Sequence, residues 1–252
     1  MSVEIVATPT ADKIARTDTP PERGWQRWDF LAVLLLVIGS GWWLSHLATQ
    51  RFNFFDMSGF MELGYRMARG QSLYHDVYYI AGPVHPYMHA LSYWLFGFTK
   101  TAVLVHLLVV NSVVIVASFI IARRGLPATL AWLPTLVTAT VFYGPIAHPW
   151  YDQNALLWLF LAILLVECTI AQSGRQAALL IGFATGALAV LSLMTKTNIG
   201  GAAGLTLAAY LLCRPQPVAS FLGYALGATV TAAAFLTGFD GVEMLYQTIW
   251  GY

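Results

Sequence analysis

The sequence predicts an all-α integral membrane protein, a polytopic helical bundle. It should have about seven transmembrane helices, plus an amphipathic interfacial helix and a short re-entrant helix in the first outer loop. Two observations lead there. Hydrophobic residues fill 58% of the 252 positions and charged residues only 10%, whereas a soluble domain needs about 25% charged residues to solvate its surface. The apolar residues also fall into successive runs joined by short connections, the pattern of a bundle whose outer surface meets lipid. The net charge of +1 says nothing about nucleic acid and no basic cluster suggests it, so nucleic acid is not expected as a partner. Two cysteines, Cys168 and Cys213, cannot form a disulfide framework, and both read as helix-packing residues near the ends of apolar runs.

Residues 1–27 are polar, contain Pro9, Pro20 and Pro21, and lack an apolar period, so they read as a disordered cytoplasmic tail. The remainder, 28–252, reads as one transmembrane domain. Lys13, Arg16, Arg23 and Arg27 precede the first apolar run, Phe30 to Leu47. That run can cross a hydrocarbon core of roughly 30 Å, and the positive flank keeps the N-terminus cytoplasmic. Its length and flanks predict a retained anchor rather than a cleaved signal peptide. Residues 50–98 then form an extracytoplasmic loop. Within it, Pro83 to Phe98 is apolar but short for a span, which predicts a re-entrant or interfacial helix. Later spans are expected at 101–122, 128–143, 153–171, 177–194, 198–213 and 217–238.

Arginines set the expected topology. If Arg123 and Arg124 are cytoplasmic, Arg175 and Arg214 are too, in agreement with the positive-inside rule. The 144–153 loop, the Thr195–Asn198 turn and the C-terminal segment then share the outer face with residues 50–98. Gly182/Gly186, Gly200/Gly204 and Gly223/Gly227 have small-xxx-small spacing, which predicts close helix packing.

Chemistry concentrates in the outer loop. Met57, Phe60, Met61, Gly64 and Ala68 recur at helical spacing, opposite Ser58, Glu62, Arg66 and Arg69, which predicts an amphipathic helix in the interface. Glu62 and Arg66 have the favourable i,i+4 order, and Gly70 is the expected C-cap. Asp56 should immediately precede this helix. There it is either an N-cap or a carboxylate at the lipid–water boundary positioned as a general base. Tyr74, His75 and Asp76 form a second polar point, contacting a substrate or holding the loop in shape. His85 and His89 share a helix face, with His148 and Asp152 on the same outer side. Without an H-E-x-x-H motif or paired cysteines they point to no metal, and together with Trp150 and Tyr151 they fit an aromatic belt. Lys196, in LMTKTNIGG between two spans, is either a functional boundary charge or a lysine snorkelling to the interface.

The ordered set Asp56, GQSLYHD (Gly70 to Asp76), Gly82-Pro83 and Phe96-Gly97 resembles the GT-C superfamily of membrane glycosyltransferases, in particular the protein O-mannosyltransferases and aminoarabinose transferases. The hydropathy pattern is similar over about 1–215, while the motifs occupy 50–98. Many relatives carry a second acidic residue where this chain has Met57. The chain is also roughly half the usual length, which implies a truncated or minimal form. The resemblance implies inverting transfer of a sugar from a polyprenyl-phosphate donor to an acceptor hydroxyl on a lipid, glycan or protein at the outer face of a bacterial inner membrane, with no cofactor. It further implies Asp56 as catalytic base. Lys196, by its placement on the same face, is the best candidate partner of the leaving phosphate, and Asp76, Tyr74 and His85 complete the candidate substrate-binding set. A membrane transporter and an inactive scaffold stand as alternatives.

Overall fold

In lipid a backbone must satisfy its own hydrogen bonds, so long apolar runs become helices. The computed structural model of the chain describes residues 27–50, 54–144, 147–169 and 174–250; the side chains of 54–56 and 128 lie outside that description. The expected tail lies outside it as well, apart from Arg27, which opens the first helix. Ten helices follow in order: α1 (Arg27–Gln50), α2 (Phe54–Ala68), α3 (Val84–Phe96), α4 (Lys100–Gly125), α5 (Ala128–Val141), α6 (Tyr151–Thr169), α7 (Arg175–Leu193), α8 (Thr197–Leu212), α9 (Pro217–Gly238) and α10 (Gly241–Trp250). Among the described residues the sole β-type pairing is an isolated bridge between Leu73 and Val77.

Among the described residues five helices, α1, α4, α6, α7 and α9, are long and apolar enough to cross a membrane. Two further segments expected as spans are shorter apolar helices: α5, with 14 residues and Pro134 inside it, and α8, with 16. Polar side chains tie the first spans together. Ser40 of α1 donates to the Ala139 carbonyl of α5 at 2.7 Å and accepts from Asn111 of α4 at 2.9 Å.

The closest helix pairing is between α7 and α9, and glycine makes it possible. A Cβ at Gly182 would lie 2.1 Å from the Ser220 carbonyl oxygen, and one at Gly186 would lie 2.1 Å from that of Tyr224. From the other side, Gly223 and Gly227 would each place a Cβ 2.0 Å from a carbonyl oxygen, those of Leu179 and Phe183. The two small-xxx-small pairs therefore face each other, and the backbones touch.

The bundle has two chemically different ends. His106, near the start of α4, approaches Asn154, near the start of α6, at 3.3 Å, so these two packed helices run in parallel. At their far ends Arg123 pairs with Asp29 of α1 at 3.6 Å, and Arg214, just beyond α8, pairs with Glu167 of α6. Arg123, in the last turn of α4, and Arg214, after α8, thus mark one end, while the entry to α6, Lys196 and the loop after α2 occupy the other.

Helix α2 departs from expectation in two ways. It begins at Phe54, so Asp56 belongs to its first turn instead of preceding it. Its apolar stripe is covered by protein: Met57 is buried, Phe60, Met61 and Ala68 are half-buried, and Gly64 lies against α3, where a Cβ would come 2.5 Å from the Cβ of His89. The helix ends as its sequence suggests. Gly70 has φ of 87°, its N–H reaches the Met67 carbonyl at 3.0 Å, and the Gln71 N–H reaches that of Arg66 at 3.1 Å. This is a Schellman motif, which requires the left-handed conformation that glycine adopts without strain. Glu62 and Arg66 pair at 3.0 Å on the exposed face.

Candidate functional site

The site is built from the loop between α2 and α3, the entry to α6 and the α7–α8 turn. The loop folds on itself first. The Asp76 carboxylate accepts the Ser72 N–H at 2.7 Å and meets the His75 Nδ1 at 2.8 Å. The Ser72 N–H, followed by His75, holds the Asp76 carboxyl below its ordinary range, and the same hydrogen bond raises His75. Tyr74 adopts φ of 72°, its side chain is buried, and its hydroxyl donates to the Ala81 carbonyl. Burial pushes that phenol's pKa upward. Both residues hold the loop in shape: the Asp76 carboxylate and the Tyr74 hydroxyl each serve groups within it.

Gly82 and Pro83 then dock the loop onto the α7–α8 turn. A Cβ at Gly82 would sit 1.9 Å from the Met194 carbonyl oxygen, and that oxygen accepts the Val84 N–H at 3.1 Å. Two residues beyond Met194 is Lys196. Its ammonium is paired with Asp152 of α6 and lies 4.1 Å from the centre of the Tyr151 ring. The turn is held to α6 by Trp158, whose indole N–H donates to Thr195 Oγ1 at 3.1 Å. Lys196 keeps 22% of its side-chain surface exposed and Asp152 keeps 34%, so the pair is accessible from outside the bundle.

His85, in the first turn of α3, is fully buried behind this pair. Its ring meets Tyr151 edge-on at 6.0 Å and Phe60 at 4.7 Å. Phe60 also contacts Trp150 at 5.2 Å and Tyr151 at 5.4 Å. Behind these rings lies a polar core. Asn154 bonds the His85 Nδ1 at 2.8 Å and the His106 Nε2 at 3.3 Å, and His89 stands 4.7 Å from each of those two rings, centroid to centroid. Among the described residues, no three His, Cys, Asp or Glu side chains converge as a metal site.

The structure thus brings Lys196 and His85 to one aromatic side chain: the ammonium lies over the Tyr151 ring and the His85 ring meets it edge-on. It places Tyr74 and Asp76 in the loop that covers this end. Asp56 lies one helical turn before Phe60, with its carboxylate outside the described side chains.

Three residues that sequence reasoning passed over complete the arrangement. Asn154 and His106 hold the polar core. Gln247 of α10, 4% exposed, accepts the Tyr79 N–H at 2.8 Å and donates to the Tyr74 carbonyl at 3.1 Å. The run YDQN at the start of α6 offered a signal for Asn154, as a cluster of polar residues opening an apolar helix. Gln247 offered none.

No protein-family model, curated protein or solved structure matches the chain.

Proposed function

We propose that the chain is a membrane glycosyltransferase, moving a sugar from a polyprenyl-phosphate donor to an acceptor hydroxyl with inversion. The observation that supports this reading best is the Lys196–Asp152–Tyr151 cluster: a cation over an aromatic face, at one end of an apolar bundle, beneath a loop docked through Gly82. A lipid-borne phosphate could approach along the bundle surface and meet the ammonium at the boundary. Charged groups there act in a medium less polar than water, where they stabilise developing charge more strongly.

In the proposed step the Asp56 carboxylate takes the proton of the acceptor hydroxyl. The acceptor oxygen attacks the anomeric carbon, and the bond from that carbon to the phosphate oxygen breaks. The electron pair leaves with the polyprenyl phosphate, whose charge is shared with Lys196 as the phosphate competes with Asp152 for the ammonium. The loop from Gly70 to Pro83 limits access of water.

The membrane disposition belongs to the same proposal. The arginine end faces the cytoplasm and the Lys196 end faces the periplasm of a bacterial inner membrane. Helices α5 and α8 complete seven crossings, and α2 and α3 lie at the outer boundary without crossing. A transporter is the second reading, favoured by the buried His85–Asn154–His106 core, since polar groups inside a membrane bundle often line substrate or proton paths.

The test is turnover of labelled polyprenyl-phosphate sugars by the purified chain in lipid. Asp56→Asn should reduce the rate by about 10²–10⁴-fold, the usual contribution of a positioned base. Lys196→Ala should reduce it as well. Equal turnover in wild type and Asp56→Asn removes Asp56 from the mechanism. No turnover across a panel of donors and acceptors, with substrate-dependent flux in vesicles, would establish the transporter instead.

A further inference from the structure

The two faces of α10 do different things. Met244 and Gln247 are buried, whereas Val242, Leu245, Tyr246, Ile249 and Trp250 are 45–81% exposed. Those five occupy positions i, i+3, i+4, i+7 and i+8, a continuous apolar stripe pointing away from the protein. The inner face belongs to the loop's own core: Met244 packs in one cluster with Met67, Leu73, Tyr74, Val77 and Tyr79. Beside it Gln247 holds the loop backbone at both Tyr74 and Tyr79 and is itself fixed by Glu243 at 2.8 Å.

We propose that α10 is a latch docked in lipid: its outward stripe sits in the interfacial layer of the bilayer while Gln247 clamps the 74–79 loop. Three observations choose lipid as the occupant. Helix α10 has 10 residues, about 15 Å at 1.5 Å per residue, roughly half of what a crossing needs. It packs on α9, two residues upstream, whose own exposed residues, Phe221, Leu222, Leu226, Val230 and Leu236, form an apolar wall. The stripe therefore continues a surface already suited to lipid, and it contains the Tyr and Trp side chains that favour the interface. Helix α10 also carries no basic residue, so docking should depend on apolar area and proceed on uncharged lipid. The latch does not depend on which reaction the loop serves.

The test uses the full chain in phosphatidylcholine nanodiscs. With Cys168 and Cys213 replaced by Ala, a spin label at Ile249→Cys should be accessible to oxygen and shielded from a water-soluble nickel chelate. The expected depth is about 5–10 Å into the headgroup and acyl boundary. Accessibility to nickel like that of a label in water overturns the proposal, and so does label–label broadening showing a second copy on the stripe. Hydrogen exchange at Tyr79 reads the clamp directly. Gln247→Ala should speed it roughly fivefold, the usual weight of one hydrogen bond. Leu245→Asp with Ile249→Asp should speed it to a similar extent while the α7 amides stay protected. Unchanged Tyr79 exchange in Gln247→Ala refutes the clamp, and unchanged exchange in the stripe variant refutes its dependence on lipid.

Discussion

Asn154 lies between two buried imidazoles and is the shared partner of both. Removing it leaves two buried ring nitrogens without that partner. Asn154→Leu should therefore lower stability by about 1–3 kcal/mol, the penalty for unsatisfied buried groups, read as a lower midpoint in thermal unfolding in detergent. The His75–Asp76 pair allows a prediction about pH. The carboxyl is held below its ordinary value, so its contact with the Ser72 N–H is present at neutral pH and lost as pH falls through that depressed value. His75 is raised, so its contact with Asp76 is fully present below about 6.5 and is lost as pH climbs through the raised value. In Asp76→Asn the His75 titration, followed by NMR, should move back toward its ordinary value. Single residues were also where the sequence was hardest to read. Asn154 and Gln247 find partners 69 and 168 positions away, and no local spacing encodes such a pairing. Gly70 was readable because a helix C-cap is decided by its immediate neighbours.

At the scale of elements, periodicity predicted most helices, and packing modified what it predicted. The stripe on α2 has the spacing of an interfacial helix, yet its partner is α3, because Gly64 lets the two backbones approach. Amphipathic spacing reports that a face must be covered; it does not report by what. Glycines four apart on the last three spans signalled close approach; the structure pairs those of α7 and α9 face to face, whereas Gly200 of α8 lies against Leu193 and Gly204 against the Tyr224 hydroxyl. Gly186→Ala or Gly227→Ala must push the helices apart, because the new methyl would meet backbone and not a movable side chain. Each should destabilise by about 1–3 kcal/mol, typical of overpacking, seen in thermal unfolding. Gly82→Ala acts locally, forcing the loop off the Met194 carbonyl. It should weaken turnover or transport far more than it lowers the unfolding midpoint.

At the scale of the whole molecule, the separation of charges between the two ends makes orientation testable with cysteines. Cys168 and Cys213 are exposed and lie close to the arginine end. A membrane-impermeant maleimide added to intact cells should label Asp76→Cys and spare both native cysteines; the reverse pattern would invert the proposed topology. The membrane class was readable because composition integrates over the entire chain. The arrangement of the site was not, because it depends on how the α2–α3 loop, the entry to α6 and the α7–α8 turn meet at one end of the bundle. Their meeting also limits how that end can open. The Met194–Lys196 turn leaves from α7 and the Gln247 helix leaves from α9, and those two helices touch along their backbones. Those backbone contacts join 179–186 to 220–228, in the first halves of the two helices, while both contacts with the loop leave from their far ends. The seam between α2 and α3 is made differently, by Met57, Met61 and Ala68 clustering with Tyr93, by Gly64 against His89, and by the Trp94 indole N–H donating to the Ala68 carbonyl at 2.9 Å, so opening on that side has to part all of these contacts.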